Sequence, residues 1–189
     1  MKVAVCCVNP RSNHFRTYVS FLASRGHDVT VITNADTVDA PVQVVNFAGK
    51  IPGYRFMPPG MGLLIRLSRL FRALRSAPFD ILDVMAVTPD GVYAAWLWRG
   101  PLMLDFWGSD IHRLEARPWW IRRLMPRVVR KAERIHAVSE HMAQVLVTLG
   151  ADPSRIETFQ YGVDLTQLGF GGAPRTSQQI LASRGLREF

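Results

Sequence analysis

The sequence predicts an α/β domain: a doubly wound, mostly parallel sheet, Rossmann-like in its order of elements. Short apolar runs rich in β-branched residues recur along the chain and alternate with amphipathic helical stretches. The strand runs lack the polar alternation of a sheet with one wet face, so both faces are expected to be covered. At 189 residues, with 48% hydrophobic and 20% charged side chains, the chain suits one well-packed domain and excludes a disordered or low-complexity class.

Residues 2–8, KVAVCCV, read as the first buried strand, ended by Asn9-Pro10. Ser12-Asn13 then cap a helix carrying Phe15, Val19, Phe21 and Leu22 that stops at Arg25-Gly26. DVTVI (28–32) is the second strand and VQVVNF (42–47) a weaker third. The stretch 48–60 is rich in Gly and Pro and reads as a loop. A helix spans 61–76 and Pro78 ends it. DILDV (80–84) is the next strand. Thr88-Pro89-Asp90-Gly91 opens a helix through Trp98, with Thr as N-cap, Pro at the first helical position and Asp in the first turn. PLMLDF (101–106) leads to the loop Trp107-Gly108-Ser109-Asp110. A basic helical region from Pro118 to Ala132 is expected to be interrupted at Pro126. RIHAV (134–138) is a strand, with His136 read as a core residue. Ser139 caps a helix to Leu149, and Gly150 stops it. RIETF (155–159) is the last strand, before Tyr161-Gly162-Val163-Asp164. Residues 169–189 read as a linker and a short helix.

Charge narrows the choice of partner. Net charge is +8, and of the 23 basic residues only Lys2, Lys50 and Lys131 are lysines. Such a surface suits a phosphate-bearing partner: a nucleotide-linked substrate, an anionic lipid or a nucleic acid. Arg66, Arg69, Arg72 and Arg75 recur every three residues along 61–76. Trp119, Trp120, Arg122 and Arg123 open the second basic stretch. Both are candidates for an anionic membrane surface, weighed against ordinary solvated helix faces. Nucleic acid is disfavoured, because no recognition motif is present. No apolar run of about 18 residues exists to span a bilayer, and the N-terminus has no secretory pattern, so a cytoplasmic address is expected, with possible attachment to the inner membrane face.

Several chemistries lack their motifs. There is no GxGxxG after the first strand, no GxxxxGK[ST] and no GxSxG. The five histidines and the adjacent Cys6 and Cys7 show no metal-ligand spacing, so no metal or other cofactor is expected. In a doubly wound fold the ligand crevice lies beyond the carboxyl ends of the strands. There the sequence places Asn13 and His14, then Asp90, then Trp107, Gly108, Ser109 and Asp110, then Ser139 and Glu140, then Gly162 and Val163. Short hydroxyl, amide and carboxylate groups with intervening glycines suit a sugar or polyol, although helix caps produce the same composition.

Taken in order, FLASRGHDVTVIT, DILDVMAVTPDGVYAAW, PLMLDFWGSD, RIHAVSEHM and LGADPSRIETFQYGVDLTQL resemble the N-terminal half of family 4 glycosyltransferases of the GT-B fold, over residues 1–168. The resemblance implies an acceptor-side domain and a retaining transfer from a nucleotide-diphosphate sugar to an acceptor hydroxyl. It also implies a donor bound mainly by a second, C-terminal domain or a separate subunit, with no metal. His14, Asp90, Gly108, Ser109, Asp110, Ser139, Glu140, Gly162 and Val163 are carried over as cleft-facing, with Asp110, His14 and Glu140 as candidates to orient an acceptor sugar, free or lipid-linked. Two departures stand out. PRSNHF replaces the glycine pair of the first loop, and Trp107 stands where relatives have a histidine. The resemblance places the donor-binding residues beyond this chain, which alone is expected to be inactive. The alternative is a non-catalytic module that binds a partner subunit or an anionic membrane.

Overall fold

A computed structural model describes residues 1–7, 10, 12–35, 38, 41–47, 58, 60–112 and 114–160; of Ser109 and His112 it describes the backbone alone. Among these residues the elements are β1 (Lys2–Cys7), α1 (Asn13–Ser24), β2 (Asp28–Thr33), β3 (Gln43–Asn46), α2 (Met61–Leu74), β4 (Ile81–Met85), α3 (Pro89–Leu97), β5 (Leu102–Phe106), α4 (Ser109–His112), α5 (Trp119–Lys131), β6 (Arg134–Ala137), α6 (Glu140–Thr148) and β7 (Ile156–Thr158), with a 3₁₀ turn at Pro153–Arg155. The expected linker and helix at 169–189 lie outside the described residues.

The seven strands form one sheet in the order β3-β2-β1-β4-β5-β6-β7, and every neighbouring pair is parallel. The order reverses between β1 and β4, which is the switch point of a doubly wound sheet. The predicted fold class is the observed one.

Alternation along the strands sends side chains to two cores. Val3, Val5, Val29, Val31 and Met85 face α1, which buries Phe15 and Val19 against them. Ala4, Cys6, Leu82, Val84, Leu104 and Ile135 face the other way, under Leu70 and Leu74 of α2, Val92 of α3, Met125 and Val129 of α5 and Leu146 of α6. Cys6 and Cys7 therefore lie buried on opposite faces. Burial pushes the Cys6 thiol far above its ordinary range, so it stays protonated and unreactive. Close helix–strand approach has a visible cause at Gly91. A Cβ there would sit 2.6 Å from Val84 Cγ1, so only glycine lets α3 lie this near β4.

Local expectations met mixed outcomes. Ser12 caps α1 by accepting from the Phe15 amide at 3.2 Å, and Ser139 caps α6 by accepting from Met142 at 3.3 Å. Thr88 stands at the N-cap of α3 yet makes no side-chain cap bond. The end of the Trp107–Asp110 loop is already helical, as α4. The helix expected over 61–76 ends at Leu74. The interruption expected at Pro126 does not occur: α5 runs through it. Proline forfeits only one bond, to the carbonyl of Arg122, and that residue is exposed, where water can serve it.

The arginines of α2 also depart from expectation. A residue every three positions rotates by about 60° per step around an α-helix, so four such residues cannot share one face. Arg66 turns inward, to Asp90 and over the Phe47 ring. Arg69 is half-buried, whereas Arg72 and Arg75 are exposed, Arg75 lying over the Phe71 ring. The stripe is therefore not one membrane-facing surface.

Candidate functional site

β1, β4, β5 and β6 deliver their carboxyl ends around the switch point, the end at which a doubly wound sheet places its ligand crevice. Loop conformation and helix starts decide what faces it. At the end of β4, Ala86 takes a positive φ of 56°, a left-handed conformation that costs a non-glycine residue about 1–2 kcal/mol. After β5, Gly108 sits at φ 119°, which favours glycine at this position.

Asp110 is the organiser of these two exits. Its carboxylate accepts from the amides of Trp107 at 3.1 Å and Gly108 at 2.8 Å, and from the amide of Val87 at 3.1 Å. One buried carboxylate, 3% exposed, thus ties the loop after β4 to the loop after β5. Charge-assisted bonds to backbone amides are strong and directional. This corrects the expectation that Asp110 points at an acceptor: its oxygens are committed to the backbone.

Asp90 is likewise committed. Arg66 reaches its Oδ2 at 2.5 Å and Asn34 donates to the same oxygen at 2.8 Å. Asp90 therefore pins α2 and the end of β2 to the start of α3, and it is 9% exposed. It was expected to face the cleft. It supports the wall instead.

Two other predicted residues meet directly. His14, exposed in the first turn of α1, packs edge-on against Trp107, with ring centroids 5.9 Å apart and planes at 80°. The start of α1 and the loop after β5 are thereby joined across the end of β4. Asn13 is exposed beside His14. Ser139 and Glu140 stand at the start of α6, at the same end of the sheet, with Glu140 exposed and the Ser139 hydroxyl accepting its cap bond. Ser109 opens α4. Gly162 and Val163 lie outside the described residues. The rim therefore offers an imidazole, an amide, a carboxylate and an indole, a set suited to hydroxyl-rich ligands. No group of three or more His, Cys, Asp or Glu side chains suited to a metal ion occurs among the described residues.

The strands hide a second constellation. Asp83 of β4, Asp105 of β5 and His136 of β6 lie on the face that carries α1, each at most 3% exposed. Asp105 and His136 are register partners, and His136 Nδ1 contacts Asp105 Oδ1. His136 Nε2 lies 2.8 Å from the Phe159 carbonyl. Burial pushes the Asp83 carboxyl up to about 7, with the Asp105 charge adding to it and the His136 charge opposing it. Burial works against a charged His136, but the bonds to Asp105 and Phe159 and the carboxylate charges outweigh it and raise its pKa. His136 is thus part of a buried ionic array and more than core filling. The sequence carried a signal for this: each of three apolar strands holds an ionisable residue in its interior.

Comparison with solved structures shows this Rossmann-like architecture shared with proteins of the GT-B fold. Sucrose-phosphate synthase from Thermosynechococcus elongatus superposes with a TM-score of 0.63 at 10% identity, over 99% of this chain and 53% of that one. HepE from Anabaena, in complex with UDP-glucose, gives 0.57 at 15% identity, over 98% and 50%. The UDP-GlcNAc 2-epimerase from Methanocaldococcus jannaschii gives 0.58 at 13%, over 84% and 45%. At these identities the likeness is one of fold. The chain belongs to glycosyltransferase family 4, whose model matches residues 12–167. It spans about half the length of these solved structures. No curated protein matches the sequence.

Proposed function

We propose that this chain is the acceptor-side half of a retaining glycosyltransferase that moves a sugar from a nucleotide-diphosphate sugar to an acceptor hydroxyl. The observation that supports it is the family match over residues 12–167 together with a rim of His14, Asn13, Trp107 and Glu140 at the switch-point end of the sheet. Trp107 offers an aromatic ring to a sugar, and His14 and Glu140 offer hydrogen bonds that orient the attacking oxygen. Asp110 and Asp90 hold the walls still, so that orientation is preorganised. The bond between the anomeric carbon and the diphosphate oxygen breaks as the acceptor oxygen bonds to that carbon on the same face. The acceptor proton passes to the departing phosphate. The donor is held mainly by a second α/β half, in the same polypeptide or a separate subunit, and without it transfer is absent.

The test is sugar transfer from a panel of nucleotide-diphosphate sugars, by residues 1–189 alone and when joined to or mixed with a donor-binding half. The expected result is no transfer alone, transfer when paired, and a loss of about a hundredfold or more in kcat/KM for His14→Ala. Epimerisation of the nucleotide sugar without transfer by the paired halves would overturn the proposal, since the same fold serves an epimerase.

One observation favours attachment to an anionic membrane at the cytoplasmic face as well. Trp119 is 70% exposed at the start of α5, beside Trp120 at 40%, and the exposed Arg122 and Arg123 follow. An indole pair followed by guanidinium groups suits the headgroup region. Co-sedimentation with vesicles containing phosphatidylglycerol checks it. Binding should fall for Trp119→Ala and with added salt; equal binding to neutral phosphatidylcholine vesicles would count against it.

A further inference from the structure

The buried array on β5 and β6 ends at the point where the chain leaves the sheet. His136 is fixed on three sides. Its Nδ1 faces the Asp105 carboxylate. Its Nε2 faces the carbonyl of Phe159, the residue immediately after β7. The Phe159 ring stacks on the imidazole, with centroids 3.8 Å apart and planes inclined by 21°. The Phe159 amide, in turn, donates to the Ala137 carbonyl at 3.3 Å, one residue beyond His136. Both ring nitrogens therefore meet acceptors. A neutral imidazole carries one N–H and can serve only one of them; an imidazolium serves both.

We propose that His136 is a positioning residue: as an imidazolium it clamps the chain leaving β7 to β5 and β6, and so fixes the point at which the chain leaves the sheet. Charge suits the role. The ring faces Asp105 on β5, with Asp83 two strands away on β4. Glu157, its register partner on β7, and Arg134, on its own strand, are mutually close at 4.0 Å and largely exposed, so they perturb it little. Tyr18 of α1 packs on the same face of the sheet. A cation over the Phe159 ring gains further from the ring's electron density. The raised pKa of His136 agrees with this charge state. Phe159 itself is 48% exposed, so the clamp adds to the ladder that pairs the three residues of β7 with β6. The clamp stands independently of the glycosyl-transfer reading; its consequence for the cleft rests on that reading.

The sign of the pH effect follows from linkage. A histidine whose folded pKa is raised above about 6.5 holds its clamp below that pH and releases it as pH climbs through the folded value.

Two measurements on the full 189-residue chain test this. The first is the ¹⁵N-detected protonation state of the His136 ring in the wild type. Both nitrogens should carry protons at pH 6, and the ring should titrate above the ordinary histidine value of about 6.5. A ring with an unprotonated Nδ1, the Asp105 carboxyl holding the proton instead, would overturn the imidazolium. The second is amide exchange at Phe159. Its protection should fall about tenfold or more as pH rises through the His136 titration, while amides in β1 and β4 hold, consistent with losing one charge-assisted bond. In His136→Asn, which can reach only Asp105, the protection should be lost at every pH. His136→Gln, which can place an amide N–H on the Phe159 carbonyl, should restore part of it without pH dependence. Unchanged Phe159 protection in His136→Asn, or protection in the wild type that ignores the titration, overturns the clamp. If His136→Asn fails to fold, the wild-type titration and exchange decide alone. None of these readouts depends on sugar transfer.

Discussion

Single residues near the crevice divide by what their polar atoms already do. His14, Asn13 and Glu140 are exposed. Backbone amides engage both carboxylate oxygens of Asp110, and Arg66 with Asn34 engages Oδ2 of Asp90. Their residue types were visible in the sequence, but their partners were not. Val87 lies 23 positions from Asp110, and Asn34 lies 56 from Asp90. Asp110→Ala should lower stability by about 2–3 kcal/mol, the cost of leaving buried amides without their charged acceptor. Asp110→Asn should recover part of that loss. Urea unfolding with an unchanged m-value would check both; a change under about 0.5 kcal/mol for Asp110→Ala would mean that water replaces the carboxylate.

At the scale of elements, the caps and strand runs were legible because their physics is local. Ser12 and Ser139 bond to amides three residues away. The failures were of another kind. Pro126 reads locally as a break, yet α5 continues, because Ile121, Met125, Val128 and Val129 bury one side of it against the core. Packing outweighs a proline cost of about 3 kcal/mol. Pro126→Ala should therefore stabilise the domain by about 1–3 kcal/mol, seen as a rise in the unfolding midpoint. A fall would mean that the proline ring itself fills a needed volume. The arginines of α2 taught the same lesson in reverse: a regular three-residue spacing in sequence becomes a spiral on the helix, and Arg66 is taken up by α3.

For the whole molecule, the decisive feature is a buried row of ionisable groups through an otherwise apolar sheet. Asp83, with its carboxyl pushed up to about 7, binds a proton in the folded state that it has lost in the unfolded state above about pH 4. Stability should therefore fall as pH rises from about 4 to 7, and the raised His136 adds a loss of the same sign at higher pH. Asp83→Asn should flatten this slope and be more stable than wild type at pH 8. Denaturation midpoints at pH 5 and pH 8 measure it, and a wild type more stable at pH 8 would contradict the assignment.

The sequence by itself determined the fold class, the strand order's raw material, the apolar faces and the family, because each depends on periodicity, caps and motifs that act within a few residues. Tertiary structure alone decided which polar groups are exposed at the switch-point end of the sheet. It also decided that Asp105 and His136, 31 positions apart, meet on neighbouring strands, and that His136 reaches Phe159. A buried polar atom takes whichever partner the sheet order brings within about 3 Å. That choice is made by register between distant strands, which no local pattern encodes.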